Sequence, residues 1–266
     1  MSLNFKYLSE VSRQDASFIL ENFLPIPKNA VTLLSASGGT GKTRLALLMA
    51  DRHIRNTGEN VALWLTEDYA GQVKATFEDM VEAGLADTSS MNKMLLILND
   101  PPQLAKREQG LFKANYEAIN ELGKTLILQG VTFAIFDPLL AFYGGNENDN
   151  SEARVFIQTF ATWANNAEIT SLIIHHSNKD GHSRGATAFH DGVRARYELV
   201  KPTLEDGEIN ADLTNKGFRV AVLKKDNWGI VKPLWKLSEG QNELMLKVMP
   251  SISNPFNVEV TEYSHD

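Results

Sequence analysis

A chain of 266 residues with 43% hydrophobic and 22% charged side chains carries enough apolar material for a sizeable core, which excludes wholesale disorder. It has no cysteine, which excludes disulfides and thiolate metal centres and suits a reducing cytoplasm. A formal net charge of −7 argues against a surface that coats nucleic acid broadly, but a local basic channel needs only well-placed charge.

The opening stretch "MSLNFKYLSEVSRQD" lacks the apolar centre of a secretory signal. No run approaches the roughly 18 apolar residues of a membrane span, so a cytoplasmic protein with no membrane partner is expected. Residues 1–29 read as an N-terminal arm, 30–249 as one domain and 250–266 as a tail.

From residue 30 onward, continuous apolar runs alternate with helical spacing. The runs "AVTLLSA" (30–36), "NVALWLT" (60–66), "KMLLILN" (93–99), "VTFAIFD" (131–137) and "ITSLIIHH" (169–176) are unbroken rather than alternating, as in strands buried on both faces. Between them "KTRLALLMADRHIRNTG", "AGQVKATFEDMVEAG", "FKANYEAINELGKTLILQG" and "SEARVFIQTFATWANNA" have helical periodicity. The expected fold is α/β, a mostly parallel sheet covered by helices on both faces. After residue 192 helical patterns drop out. The stretches 193–201, 217–225, 229–238 and 242–249 read as strands that extend the sheet in antiparallel fashion.

The first strand runs into "ASGGTGKT" (36–43) and then a helix. Apart from Ala36 in place of the leading glycine, this is the pattern of a phosphate-binding loop. Small residues let backbone N–H groups wrap a phosphate, and the helix N-terminus adds its positive end. Ser37, Gly38, Gly39, Thr40, Gly41, Lys42, Thr43 and Arg44 are thus the expected ATP cradle. Lys42 would reach the terminal phosphates, and the Thr43 hydroxyl would ligate Mg2+. Asp137 ends an apolar strand at the edge where open sheets bind ligands, and is expected to join Thr43 at the metal. The competing reading of Asp137 is a turn former before proline. Glu67, just past the second strand, is placed to polarise an attacking water. Its neighbour Asp68 reads as a charge favouring the start of the next helix.

With "LLSASGGTGKTRLAL", "LWLTED", "FDPLLAFYGGNENDN", "HHSNK", "SRGATAFHDGVRA" and "RVAVLKKDNWG" in this order, the chain resembles RecA-like and DnaB-like ring ATPases. Within that group it is most similar to the RepA-type hexameric replicative helicases of plasmids. The resemblance implies a RecA-like ATPase domain over 30–249 and a homo-oligomer, a hexameric ring moving on single-stranded DNA. Residues 144–152 and 177–190 would face the channel. Lys42, Thr43 and Asp137 are implied as the ATP–Mg2+ site and Glu67 as the catalytic glutamate. Arg219, Lys224 and Lys225 compete for the role of a cation acting on the neighbour's nucleotide, against the plainer reading of solvated strand-edge charge. Asp226 stands where the wider group has an arginine. A RecA-like ATPase serving as a regulatory or recombination module without unwinding is the rival reading.

Four of the six histidines, His175, His176, His182 and His190, fall within residues 175–190. Neighbours on a strand point to opposite faces, so His175 and His176 cannot chelate one metal together. Beside the Asp137 strand, His176 matches the position at which the resembled families sense the γ-phosphate, while His175 reads as a core histidine. Lys179 and Arg184, with His182 and His190, are candidates for contacts to DNA phosphates.

Overall fold

The computed structural model describes residues 5–12, 15–176 and 187–251. Strands β1 (Phe18–Ile19) and β2 (Ile26–Pro27) form a small antiparallel ribbon. The strand β3 (Val31–Ala36) enters helix α1 (Lys42–Thr57), and β4 (Asn60–Leu65) enters α2 (Ala70–Glu82), which is followed by the short β5 (Met94–Leu96). A hairpin, β6 (Ala105–Glu108) and β7 (Leu111–Ala114), precedes α3 (Tyr116–Leu128) and β8 (Val131–Asp137). Next come β9 (Tyr143–Gly144), α4 (Asn150–Asn166), β10 (Thr170–His176), α5 (Ala188–Gly192) and β11 (Ala195–Val200). The last elements are α6 (Ala211–Asn215), β12 (Phe218–Asp226), α7 (Val231–Leu237) and β13 (Glu243–Lys247).

Eight of these strands form one sheet in the order β13-β12-β11-β3-β10-β8-β4-β5. The six from β11 to β5 are parallel, and β12 and β13 continue the sheet antiparallel. Alternation along each strand sends side chains to two separate cores. Leu34, Ala36, Ile135, Ile174 and Tyr197 face α1 and α2, whereas Leu33, Ala134, Phe136 and Ile173 face α3 and α4. Each fully buried aliphatic or aromatic side chain contributes roughly 1.5–3 kcal/mol, so burial on both faces explains why the central runs are apolar without alternation.

Three expectations are corrected. The stretch 193–201 is a strand, but β11 lies parallel to β3, so the antiparallel extension starts one strand later. The stretch 229–238 is the helix α7 rather than a strand. Asp226 is the cause: its Oδ1 accepts the N–H groups of Trp228, Gly229 and Ile230, and its Oδ2 accepts that of Val231, at 2.7–3.0 Å. That cap ends the strand and starts a helix; Pro233 and Leu234 within it and Ile230 just before it are buried at helical spacing. The third concerns "FKA", expected at the head of α3. It belongs to the β6–β7 hairpin, turned by Gln109 (φ 51°) and Gly110 (φ 82°), the left-handed pair a two-residue hairpin loop needs.

Residues 18–27 are also tied into the packed body. Leu20, Leu24 and Ile26 are buried among the side chains on the α1 face, and the Tyr197 hydroxyl donates to the Pro25 carbonyl at 2.9 Å. Among the described residues no helix is long and apolar enough to cross a membrane.

Candidate nucleotide site

The chain turns from β3 into α1 through a loop whose shape depends on glycine. Gly39 has φ 71° and Gly41 φ 98°, conformations that a side chain strains. A Cβ on Gly41 would also come within 2.9 Å of Met249 Cε. Inside the loop Thr40 Oγ1 donates to the Ser37 carbonyl at 2.8 Å and lies 2.9 Å from Ser37 Oγ. Lys42 opens α1 and turns back, its Nζ donating to the same Ser37 carbonyl at 3.2 Å. The backbone thus curls around an ammonium group at a helix N-terminus, the arrangement that suits an anion.

Sheet order brings the other groups alongside. β10 lies between β3 and β8, so His176, Ala36 and Asp137 end neighbouring strands. β4 borders β8 on the other side, and the Thr66 N–H donates to the Asp137 carbonyl at 2.9 Å, holding Glu67 and Asp68 next to that strand end. His176 Nε2 lies 3.3 Å from Glu67 Oε2 and 3.9 Å from Asp137 Oδ1. The expected Lys42, Glu67, Asp137 and His176 therefore meet at one end of the sheet. Burial pushes the Asp137 carboxyl up to about 7; Lys42 opposes the shift, and Glu67 and Asp68 add to it. Burial likewise lowers the Lys42 ammonium against the pull of Asp137, Glu67 and Asp68. Asp137 Oδ1 is buried with no hydrogen-bond donor among the described residues. A buried carboxylate oxygen so placed fits a hard divalent cation, which needs only one or two protein ligands when phosphates supply others.

Asp68 is corrected. Helix α2 begins at Ala70 with no acid in its first turn, and the Asp68 carboxylate instead accepts the Thr43 hydroxyl at 3.0 Å. No spacing rule pairs residues 43 and 68; only the packing of β4 beside β8 and α1 does so.

Arg219 is corrected as well. Its side chain is 4% exposed. Nε donates to the Thr40 carbonyl at 2.8 Å, and NH1 to the carbonyls of Thr214 at 3.1 Å and Phe218 at 2.6 Å. In this arrangement the guanidinium is enclosed under the phosphate loop of its own chain rather than standing as solvated charge on a strand edge. Lys225 donates to the Asp191 carbonyl at 2.7 Å, and Lys224 is ion-paired with Glu198 at 3.2 Å. Lys225 lies level with Leu33, three residues and about 10 Å back along the sheet from the loop. Lys224 is the exposed one of the three.

The histidines separate as their strand geometry requires. His175 faces the α4 side, 1% exposed, against Phe189 and His190. Burial lowers its pKa to about 4, so it is neutral at ordinary pH. His190 corrects the expectation of an exposed channel contact: it is half-buried in α5, its Nδ1 against the Arg196 guanidinium, and burial lowers it to about 4 too. Lys179, His182 and Arg184 lie outside the described residues.

The chain matches the family described as AAA domain over residues 19–182, more than half its length. It belongs to that family. The AAA domain is a P-loop NTPase family, and the matched span takes in the phosphate loop, Glu67, Asp137 and His176. The strands β11 to β13, with Arg219, lie beyond the matched span of the AAA domain. No curated protein matched this chain.

Proposed function

We propose that this AAA domain is an ATP- and Mg2+-dependent helicase of the RepA-like kind, a homo-oligomeric ring working on single-stranded DNA. The observation that carries hydrolysis is the meeting of Lys42, Thr43, Asp137 and Glu67 at one sheet end, with His176 3.3 Å from Glu67. Lys42 and the loop amides bind the phosphates, and Thr43 and Asp137 hold the cation. Mg2+ supplies charge neutralisation at the terminal phosphates. Glu67, whose side chain is 59% exposed, accepts a proton from water, and His176 orients that carboxylate. The DNA side of the reading rests on resemblance, and one contact supports it. Asn150 Oδ1 accepts the Ala188 N–H at 3.0 Å and lies 3.2 Å from Thr187 Oγ1, so the two stretches expected to face the channel abut.

Asp68 is the partner that keeps Thr43 aimed. Asp68→Asn is expected to raise the Mg2+ concentration needed for half-maximal ATP binding on the order of tenfold, as loss of an outer-sphere partner does. A titration of nucleotide binding against Mg2+ measures this. A variant with normal Mg2+ dependence and only a lower melting temperature would return Asp68 to a helix-end role.

The decisive assay for the function is strand displacement on a forked duplex. Protein with ATP and Mg2+ is expected to release the labelled strand, and single-stranded DNA to accelerate hydrolysis. Hydrolysis without any displacement would establish the rival, an ATPase whose nucleotide state governs assembly or DNA binding.

A further inference from the structure

We infer that Arg219 is a positioning residue that acts in cis, aiming the phosphate loop of its own subunit at the nucleotide. This inference rests on the nucleotide-binding reading above but concerns a residue outside the matched family span.

Three observations lead to it. Arg219 is buried, yet its strongest charged neighbour is a second cation, Arg44, and burial and Arg44 both lower its pKa. A buried cation held only by neutral acceptors is costly unless something compensates it. Its Nε hydrogen bond goes to the Thr40 carbonyl, inside the loop rather than at a strand end. Last, Met249 is wedged at the same place. Its Sδ lies 3.7 Å from Arg219 NH2 and 3.8 Å from Arg44 NH1, and its methyl group covers Gly41. The Gly217 carbonyl holds this wedge by accepting the N–H groups of Val248 at 2.9 Å and Met249 at 3.2 Å.

Peptide geometry turns this contact into an effect on the site. The Thr40 carbonyl and the Gly41 N–H share one planar trans peptide and point in opposite directions. Fixing the oxygen on Arg219 turns the N–H away from Arg219, to the side on which a bound anion would lie. Gly41 permits this orientation because its φ of 98° is open to glycine and strained for other residues. The guanidinium also leaves net positive charge behind the loop, which a triphosphate or diphosphate compensates on arrival. The strand β12 thus serves the site from its own subunit, and the C-terminal segment 214–251 becomes part of the nucleotide site.

The test compares wild type with full-length Arg219→Met and Arg219→Lys. Amide hydrogen exchange in ligand-free protein reads the loop, and a fluorescent ADP analogue with Mg2+ reads the site. In Arg219→Met, faster exchange is expected within residues 37–43, with β12 and β13 little changed and ADP affinity down roughly tenfold or more. Arg219→Lys keeps charge but not the fork, and should recover part of the affinity. Mixing Arg219→Met with Lys42→Ala subunits should restore no turnover, since both defects damage the subunit that carries them. Restored turnover in the mixture, or wild-type ADP affinity in Arg219→Met, would overturn the inference. So would exchange that rises evenly through β12 and β13, because that marks general loss of packing. If wild type binds no nucleotide, the hydrolase reading fails, while the exchange pattern still decides whether Arg219 orders the loop.

Discussion

Lys42→Ala is expected to cut ATP turnover by on the order of 10²–10³-fold or more, because it removes the positive donor at the terminal phosphates. The fold should survive. Lys42 is the first residue of α1, and the helix is anchored by Leu45, Ala46, Leu47, Leu48, Met49 and Ala50, each at most 1% exposed. Among the described residues the Lys42 ammonium donates to the Ser37 carbonyl, which Thr40 Oγ1 also serves. What the variant loses is the charge. In the wild type, Lys42 opposes the burial that pushes Asp137 up, so removing the ammonium raises the Asp137 carboxyl further and weakens the cation site with it. ATP affinity and turnover should therefore fall together, with the melting temperature nearly unchanged. Undiminished turnover would remove the phosphate-loop assignment.

Glu67→Gln should separate binding from chemistry. The amide keeps the size of the side chain and loses the ability to take a proton, so turnover should fall by roughly 10²-fold or more while ATP and Mg2+ still bind. Position supports the split. Glu67 follows Thr66, whose N–H is bonded to the Asp137 carbonyl, and its carboxylate reaches His176 rather than the Thr43 hydroxyl. Asp68 holds that hydroxyl, so under the proposed function the two adjacent acids would divide the work, Glu67 acting on the water and Asp68 on the cation side. Single-turnover hydrolysis measured beside equilibrium nucleotide binding checks the division. If Glu67→Gln instead lost Mg2+-dependent binding and Asp68→Asn lost only turnover, the assignments would be exchanged.

Much of this was legible in the chain because it is local. The five apolar runs and the helices between them come from periodicity. "ASGGTGKT" specifies a loop by its glycines, and the helical spacing of "RLALLMA" after it specifies a helix start. The opposite facing of His175 and His176 needs nothing beyond strand pleat, and the structure places one at the acids and the other beside Phe189. The hairpin at 105–114 was missed because Gln109 is not the residue type that announces a left-handed turn, although Gly110 beside it is. The stretch 229–238 reads as a strand from its short run between polar turns, yet Pro233 already argues against a strand interior, and the apolar spacing of a helix is present. The four N–H groups on Asp226 decided it.

Sequence alone marked out the phosphate-loop pattern, the strand that carries Asp137, and a parallel sheet between two helical layers. Each is set by spacing within about twenty residues. The tertiary structure alone decided which distant side chains share a hydrogen bond or a boundary with water. Asp68 is bonded to Thr43 rather than set at a helix end, His190 is tucked against Arg196, and Arg219 donates to the Thr40 carbonyl of the loop. The difference is physical. Periodicity records which face of an element is buried, whereas the role of a charged group depends on what the packed strands set against it, and for Arg219 that partner is a carbonyl 179 residues away.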